Sequence, residues 1–113
     1  ENAEVSDMFE FSTAREPDSQ TVRIAISGEI DLFAAPDFKS RLYEAVGEGD
    51  VDVVLDCGAL TYIDSTGLGI LLGALKRVRQ KDRQVYVRHL KDNIRKLFRI
   101  TGLDRAFNLE DAK

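Results

Sequence analysis

The run Leu60-Thr61-Tyr62-Ile63-Asp64-Ser65-Thr66-Gly67-Leu68-Gly69-Ile70-Leu71-Leu72-Gly73-Ala74-Leu75 decides the architecture. Leu68, Leu71, Leu72, Leu75 and, beyond it, Val78 recur at helical spacing and form the clearest apolar stripe in the chain. The spacing predicts a helix that begins near Asp64 or Ser65 and runs to about Lys81. Short polar side chains at Asp64, Ser65 and Thr66 mark its start, because such residues accept hydrogen bonds from the unpaired first-turn amides.

Upstream of that helix, Val51-Asp52-Val53-Val54-Leu55 is short and nearly all apolar, the pattern of a strand buried on both faces. Downstream, Val85-Tyr86-Val87 reads as a second short strand. Further out, Phe38, Leu42, Ala45 and Val46 recur at helical spacing, with Pro36 suited to the first turn and Gly47 and Gly49 to stop it. Val22, Ile24 and Ile26 alternate with Arg23, Ala25 and Ser27. Phe9 and Phe11 repeat at period two within Met8–Thr13. The turn-rich stretch Arg15–Ser19 joins these two as a hairpin. Ile94, Leu97 and Phe98 mark a last helix ended by Gly102, and Phe107 and Leu109 form a final edge strand or cover a core face. The order is β-β-α-β-α-β-α with that optional last strand. It predicts a single α/β domain with a mixed, mostly parallel sheet and helices mainly on one side. Residues 1–7 are polar and expected to be a flexible N-terminal segment, with the domain over residues 8–113. In such sheets the functional surface lies at strand-to-helix turns. Here these are the loops from Gly28 to Ala35 and from Asp56 to Ser65.

Composition narrows the function classes. The chain has 113 residues, 43% hydrophobic and 32% charged, enough for one core in one domain. A net charge of −4 argues against a nucleic-acid binder and against docking on anionic lipid. No stretch approaches the roughly 18 apolar residues that span a membrane, and the acidic start Glu1-Asn2-Ala3-Glu4 does not read as a signal peptide. The one cysteine, Cys57, cannot form a disulfide within the chain and ends an apolar run, so it reads as a buried thiol in a reducing, cytoplasmic protein.

Several constellations bear on chemistry. Asp64-Ser65-Thr66-Gly67 is an ordinary helix cap, and it also suits a phosphoacceptor, since a phosphate there would face free amides and the positive end of the helix dipole. Gly67-Leu68-Gly69-Ile70-Leu71-Leu72-Gly73 has G-x-G-x-x-x-G spacing, and Arg88 and His89, not an acid, follow the Val85–Val87 strand; a dinucleotide site does not fit. Gly69 and Gly73 instead give a smooth helix face against which a neighbouring element or a partner packs closely. Ser65 is not in a G-x-S-x-G elbow and His89 is the only histidine, which speaks against a serine hydrolase. One His and one Cys give no transition-metal set. Asp31, Asp56 and Asp64 would need to converge at strand ends to hold any ion. Arg95, Lys96, Arg99 and Arg105 are the solvated face of an amphipathic helix, or a surface for an acidic partner.

Gly28-Glu29-Ile30-Asp31, Tyr62-Ile63-Asp64-Ser65-Thr66-Gly67-Leu68-Gly69 and Thr101-Gly102-Leu103-Asp104-Arg105-Ala106-Phe107 together resemble the STAS family, and more narrowly its bacterial anti-sigma factor antagonists. The resemblance covers roughly residues 8 to 109, and D-S-T-G-L-G is its most specific part. It implies a non-enzymatic protein without cofactor or metal. The unphosphorylated antagonist binds an anti-sigma factor that is also a serine kinase, which frees the sigma factor. The kinase then phosphorylates one serine and is released, and a serine phosphatase resets the switch. The phosphoacceptor falls on Ser65, and the aspartate beside it on Asp31. Because the two loops both leave the sheet at strand ends, the partner-binding face is expected at Asp31, Phe33, Asp64, Ser65, Thr66, Gly67 and Gly69. Leu32-Phe33-Ala34-Ala35-Pro36 is more apolar than the family's usual polar stretch; Phe33, if exposed, anchors a partner, or it caps the core. The resemblance equally admits a STAS domain acting as a scaffold or regulatory subunit in a signalling assembly or a transporter complex.

Overall fold

Alternation of apolar and polar residues builds the sheet, and the computed structural model describes residues 9–15, 17 and 19–110 of the chain. The expected flexible segment 1–7, and Met8, expected to open the first strand, lie outside the described residues, as do residues 111–113 at the end of the expected domain. β1 (Phe9–Arg15) and β2 (Thr21–Ile30) pair antiparallel; β3 (Asp52–Ile63), β4 (Val85–Arg88) and β5 (Asn108–Glu110) follow in parallel. The sheet order is β1-β2-β3-β4-β5. Helices α1 (Ala35–Val46), α2 (Ser65–Arg79) and α3 (Asp92–Thr101) are the crossovers between successive parallel strands. Each crossover steps one strand in the same direction. Right-handed connections therefore put all three helices on one face.

Burial follows that arrangement. Val22, Ile24 and Ile26 are buried under the helices while Arg23 and Ala25, on the other face of β2, are exposed. In β3, Val53, Val54 and Leu55 are all buried, Val54 between its register neighbours Arg23 and Tyr86 on the uncovered face. Helix residues Phe38, Leu42, Val46, Leu68, Leu71, Leu75, Val78, Ile94 and Phe98 complete the core, with Leu72 partly buried against it. Phe9 and Phe11 meet the Phe38 ring edge-on, and Phe98 meets Phe107 likewise. Phe107 thus covers the core and Leu109 sits in the edge strand, so both readings of that segment hold.

β3 corrects one expectation. The sequence suggested a loop from Asp56 to Ser65, yet residues 56–63 continue the strand and only Asp64 separates it from α2. Gly58 and the polar residues Asp56, Thr61 and Tyr62 break the apolar run, but the β2 ladder holds the segment extended across two register irregularities, at Ala25/Ser27 and Gly28/Glu29. Thr61 Oγ1 donates to the Gly28 carbonyl across the second. β2 likewise runs on to Ile30, which shortens the first loop to Asp31–Ala34.

Candidate functional site at the strand ends

The parallel register pairs Ile30 with Ile63 as the last residues of β2 and β3. Asp31 and Asp64 therefore leave the sheet side by side, on strands spaced ~4.8 Å apart. The Asp64 amide donates to the Ile30 carbonyl at 3.2 Å, which locks the two strand ends together. Each aspartate then organises its own turn. Asp31 Oδ1 accepts from the Phe33 and Ala34 amides, both at 3.0 Å, and so shapes the entry to α1. Asp64 is the N-cap of α2, and its Oδ1 accepts from the Gly67 amide at 3.1 Å.

Ser65 and Thr66 occupy the first two positions of α2 and are exposed. Their amides precede the first intrahelical bond, Leu68 N–H to the Asp64 carbonyl, and lie outside the helix's own ladder. The Ser65 hydroxyl thus stands in solvent at the positive end of a 15-residue helix. Phe33 is 80% exposed and Leu32 63% exposed, so the apolar departure at this loop projects outward and does not cap the core. Tyr62, 47% exposed, stands at the end of β3 on the face the helices leave uncovered. No local pattern in the sequence reports the exposure of Leu32 and Tyr62, which depends on packing.

The three glycines of α2 separate by environment. Gly67 is buried, and a Cβ there would fall 2.6 Å from Ile63 Cγ1 and 3.1 Å from Ile30 Cγ2. Any part it takes in docking comes through the backbone it seats. Gly69 is exposed with nothing within 4 Å of an added Cβ. Gly73 is covered by Tyr43 of α1, whose Oη would lie 2.2 Å from a Cβ. Of the smooth face expected from Gly69 and Gly73, the neighbouring helix takes Gly73 and solvent meets Gly69.

The other candidates disperse. Asp56 lies within β3, in register with Arg88, and does not converge with Asp31 and Asp64. Among the described residues no group of three or more His, Cys, Asp or Glu is placed to hold a metal ion. His89 is exposed at the end of β4 with a left-handed backbone, φ 65°. Cys57 is buried, and burial, aided by the neighbouring Asp56 carboxylate, pushes its thiol up to about 12. Among the described residues no helix is long and apolar enough to cross a membrane.

Comparison with known proteins places this geometry in a lineage. The STAS domain family model matches residues 13–112. The chain is 35% identical over 88 residues to an anti-sigma-B factor antagonist of Staphylococcus aureus (strain NCTC 8325 / PS 47), covering 78% of this chain and 82% of that one. It is 36% identical over 88 residues to the anti-sigma-B factor antagonist of Staphylococcus epidermidis, with the same shares covered. Its fold matches that of the Bacillus cell fate determinant SpoIIAA in the phosphorylated form with a TM-score of 0.72 at 24% identity, over 92% of each chain. A five-stranded mixed sheet with its helices as crossovers, a D-S-T-G helix start beside a G-E-I-D strand end, and these relatives identify the chain as a member of the STAS domain family, on the branch of the anti-sigma factor antagonists.

Proposed function

We propose that this chain is a cytoplasmic anti-sigma factor antagonist whose grip on its partner is switched at Ser65. Unphosphorylated, it binds an anti-sigma factor with serine kinase activity and so frees a sigma factor. The partner's ATP supplies the phosphoryl group: the Ser65 oxygen bonds to the γ-phosphorus, the bond to the β-phosphate bridging oxygen breaks, ADP leaves and the hydroxyl proton passes to solvent or to a base of the kinase. A serine phosphatase reverses the change by hydrolysis. The chain supplies the acceptor and the docking surface, and no catalytic group of its own.

The observation that carries this reading is the exposure of Ser65 as the first residue of α2, directly behind the Asp64 cap. Around it, Asp31, Phe33, Thr66 and Gly69 offer a docking surface at the same end of the sheet. A phosphate adds a charge of about −1.5 to −2. The helix N-terminus favours that charge by roughly 0.3–1 kcal/mol, and Asp64 and Asp31 oppose it, so the fold tolerates it. A docked partner does not, because a bulky dianion in a packed contact meets both a clash and the loss of its hydration.

The test is calorimetric affinity of the unmodified, phosphorylated, Ser65→Ala and Ser65→Asp proteins for the anti-sigma factor, with mass spectrometry locating the phosphate after kinase and ATP treatment. Ser65→Ala should bind and resist release by ATP, and Ser65→Asp should bind weakly from the outset. Phosphate on Thr66, or equal affinity of phosphorylated and unmodified protein, overturns the reading.

A further inference from the structure

The charge of this chain is divided sharply along its length. Eleven of its 16 Lys and Arg residues lie between Lys76 and Arg105, a stretch with three acidic residues, so it carries +8 against −12 for the remainder. Several of these cations are engaged in holding the fold. Arg77 donates to the Gly47 carbonyl and stacks on Tyr43, Arg79 donates to the Ala106 carbonyl, Arg83 pairs with Asp50 and Asp52, and Arg88 pairs with Glu110. The outward face of α3 is different. Ile94 and Phe98 turn that helix's apolar stripe into the core. At about 100° per residue, Asp92, Lys96, Arg99 and Ile100 then share the opposite side, and all four are exposed, Ile100 by 71%, with Asp92 two turns before Ile100 and the cations of the last two turns nearer to it. The Gly102 turn leads directly into the 3-10 turn Leu103–Arg105, which adds an exposed Arg105 at the same end.

We propose that Lys96, Arg99 and Ile100, with Arg105, form a second docking surface, and that it takes an acidic protein segment whose apolar side chain covers Ile100. Charge complementarity selects the occupant: an exposed β-branched side chain beside Lys96 and Arg99 is matched by an apolar residue flanked by carboxylates. A membrane is a poor match, because the apolar stripe of α3 is spent on the core and one isoleucine is left to insert. A nucleic acid is a poor match as well, because Ile100 within the patch offers nothing to a phosphate backbone and the rest of the chain repels it.

This surface does not depend on the Ser65 reading. The 15 residues of α2 separate Ser65 from Arg79, about 20 Å at 1.5 Å per residue, and the Arg79 guanidinium bonds the Ala106 carbonyl, next to Arg105. Occupancy of the α3 surface should therefore be the same in Ser65→Asp as in the unmodified chain.

The experiment is an NMR titration of the whole chain with a short synthetic Glu-rich peptide containing leucine. A Glu-only peptide, phosphatidylglycerol vesicles and a short DNA duplex are the comparison arms. Backbone shifts should be confined to the Lys96–Arg105 stretch. The Lys96→Glu/Arg99→Glu variant should lose at least about tenfold in affinity, equal to 1.4 kcal/mol. Ile100→Ser should weaken the leucine peptide several-fold and leave the Glu-only peptide unchanged, and Ser65→Asp should change neither. Thermal melts check that the variants stay folded; if the double charge reversal lowers the melting point, Lys96→Gln and Ile100→Ser carry the test, since each alters one exposed side chain. Shifts spread evenly over the surface, affinity unmoved by charge reversal or by Ile100→Ser, or tighter binding to vesicles or duplex than to the leucine peptide overturns the proposal.

Discussion

Gly67 and Ile63 fit together with no room for a methyl group: a Cβ on Gly67 would lie 2.6 Å from Ile63 Cγ1. That contact seats the first turn of α2 on the end of β3 and sets the height at which Ser65 emerges. Gly67→Ala should force the helix start outward and destabilise the domain by about 1–3 kcal/mol, the usual range for overpacking. At Gly69 an added methyl meets nothing within 4 Å. Gly69→Ala should stabilise by up to ~1 kcal/mol through helix propensity. Paired urea denaturation curves check both, and equal effects at the two positions would contradict the packing described.

The aspartate, not the serine, holds the helix start. Asp64 caps the Gly67 amide, so Asp64→Ala should cost about 1 kcal/mol and Asp64→Asn, which keeps the acceptor oxygen, far less. Ser65→Ala should stay within about 0.5 kcal/mol of the parent, as exposed substitutions usually do. Thermal unfolding of the three variants separates cap from acceptor; a larger loss at Ser65 than at Asp64 would reverse the assignment.

Phe33 is 80% exposed in a loop that Asp31 shapes through two hydrogen bonds. If it anchors the anti-sigma factor, Phe33→Ala should lose about 2 kcal/mol or more of binding, the range of an aromatic hot spot, with stability almost unchanged. Gly69→Arg should block docking without unfolding the domain, since the position is open. Calorimetric titration of the anti-sigma factor against each variant measures this, and parent-like affinity in both would remove Phe33 and Gly69 from the interface.

The Cys57 thiol is raised from 9.0 to about 12 by burial and by Asp56. The native state holds this proton more tightly than the unfolded chain does. Stability is therefore fully present below pH 9.0 and falls as pH rises from there toward about 12. The native thiol should be inert to a disulfide reagent at mildly alkaline pH and react fully once urea unfolds the chain. Rapid native labelling would mean that Cys57 is reached by solvent.

The order of elements, the apolar stripe of α2, the Gly102 helix stop and the cap at Asp64 were all readable in the sequence, because each rests on periodicity or on neighbours within a turn. The D-S-T-G and G-E-I-D segments could likewise be matched to a family from their letters alone. What the tertiary structure decided is non-local. The Ile30–Ile63 register that brings Asp31 beside Asp64 joins residues more than thirty positions apart. That same ladder extends β3 through Gly58, where the apolar pattern fails. Gly67, Gly69 and Gly73 look alike in the sequence; Ile63, open solvent and Tyr43 give them three different environments. Phe33 could have capped the core or projected from it, and the two Asp31 hydrogen bonds shape a loop that leaves it outside. Local physics sets which segment becomes helix or strand, and only the packing of distant segments sets which of their side chains meet solvent.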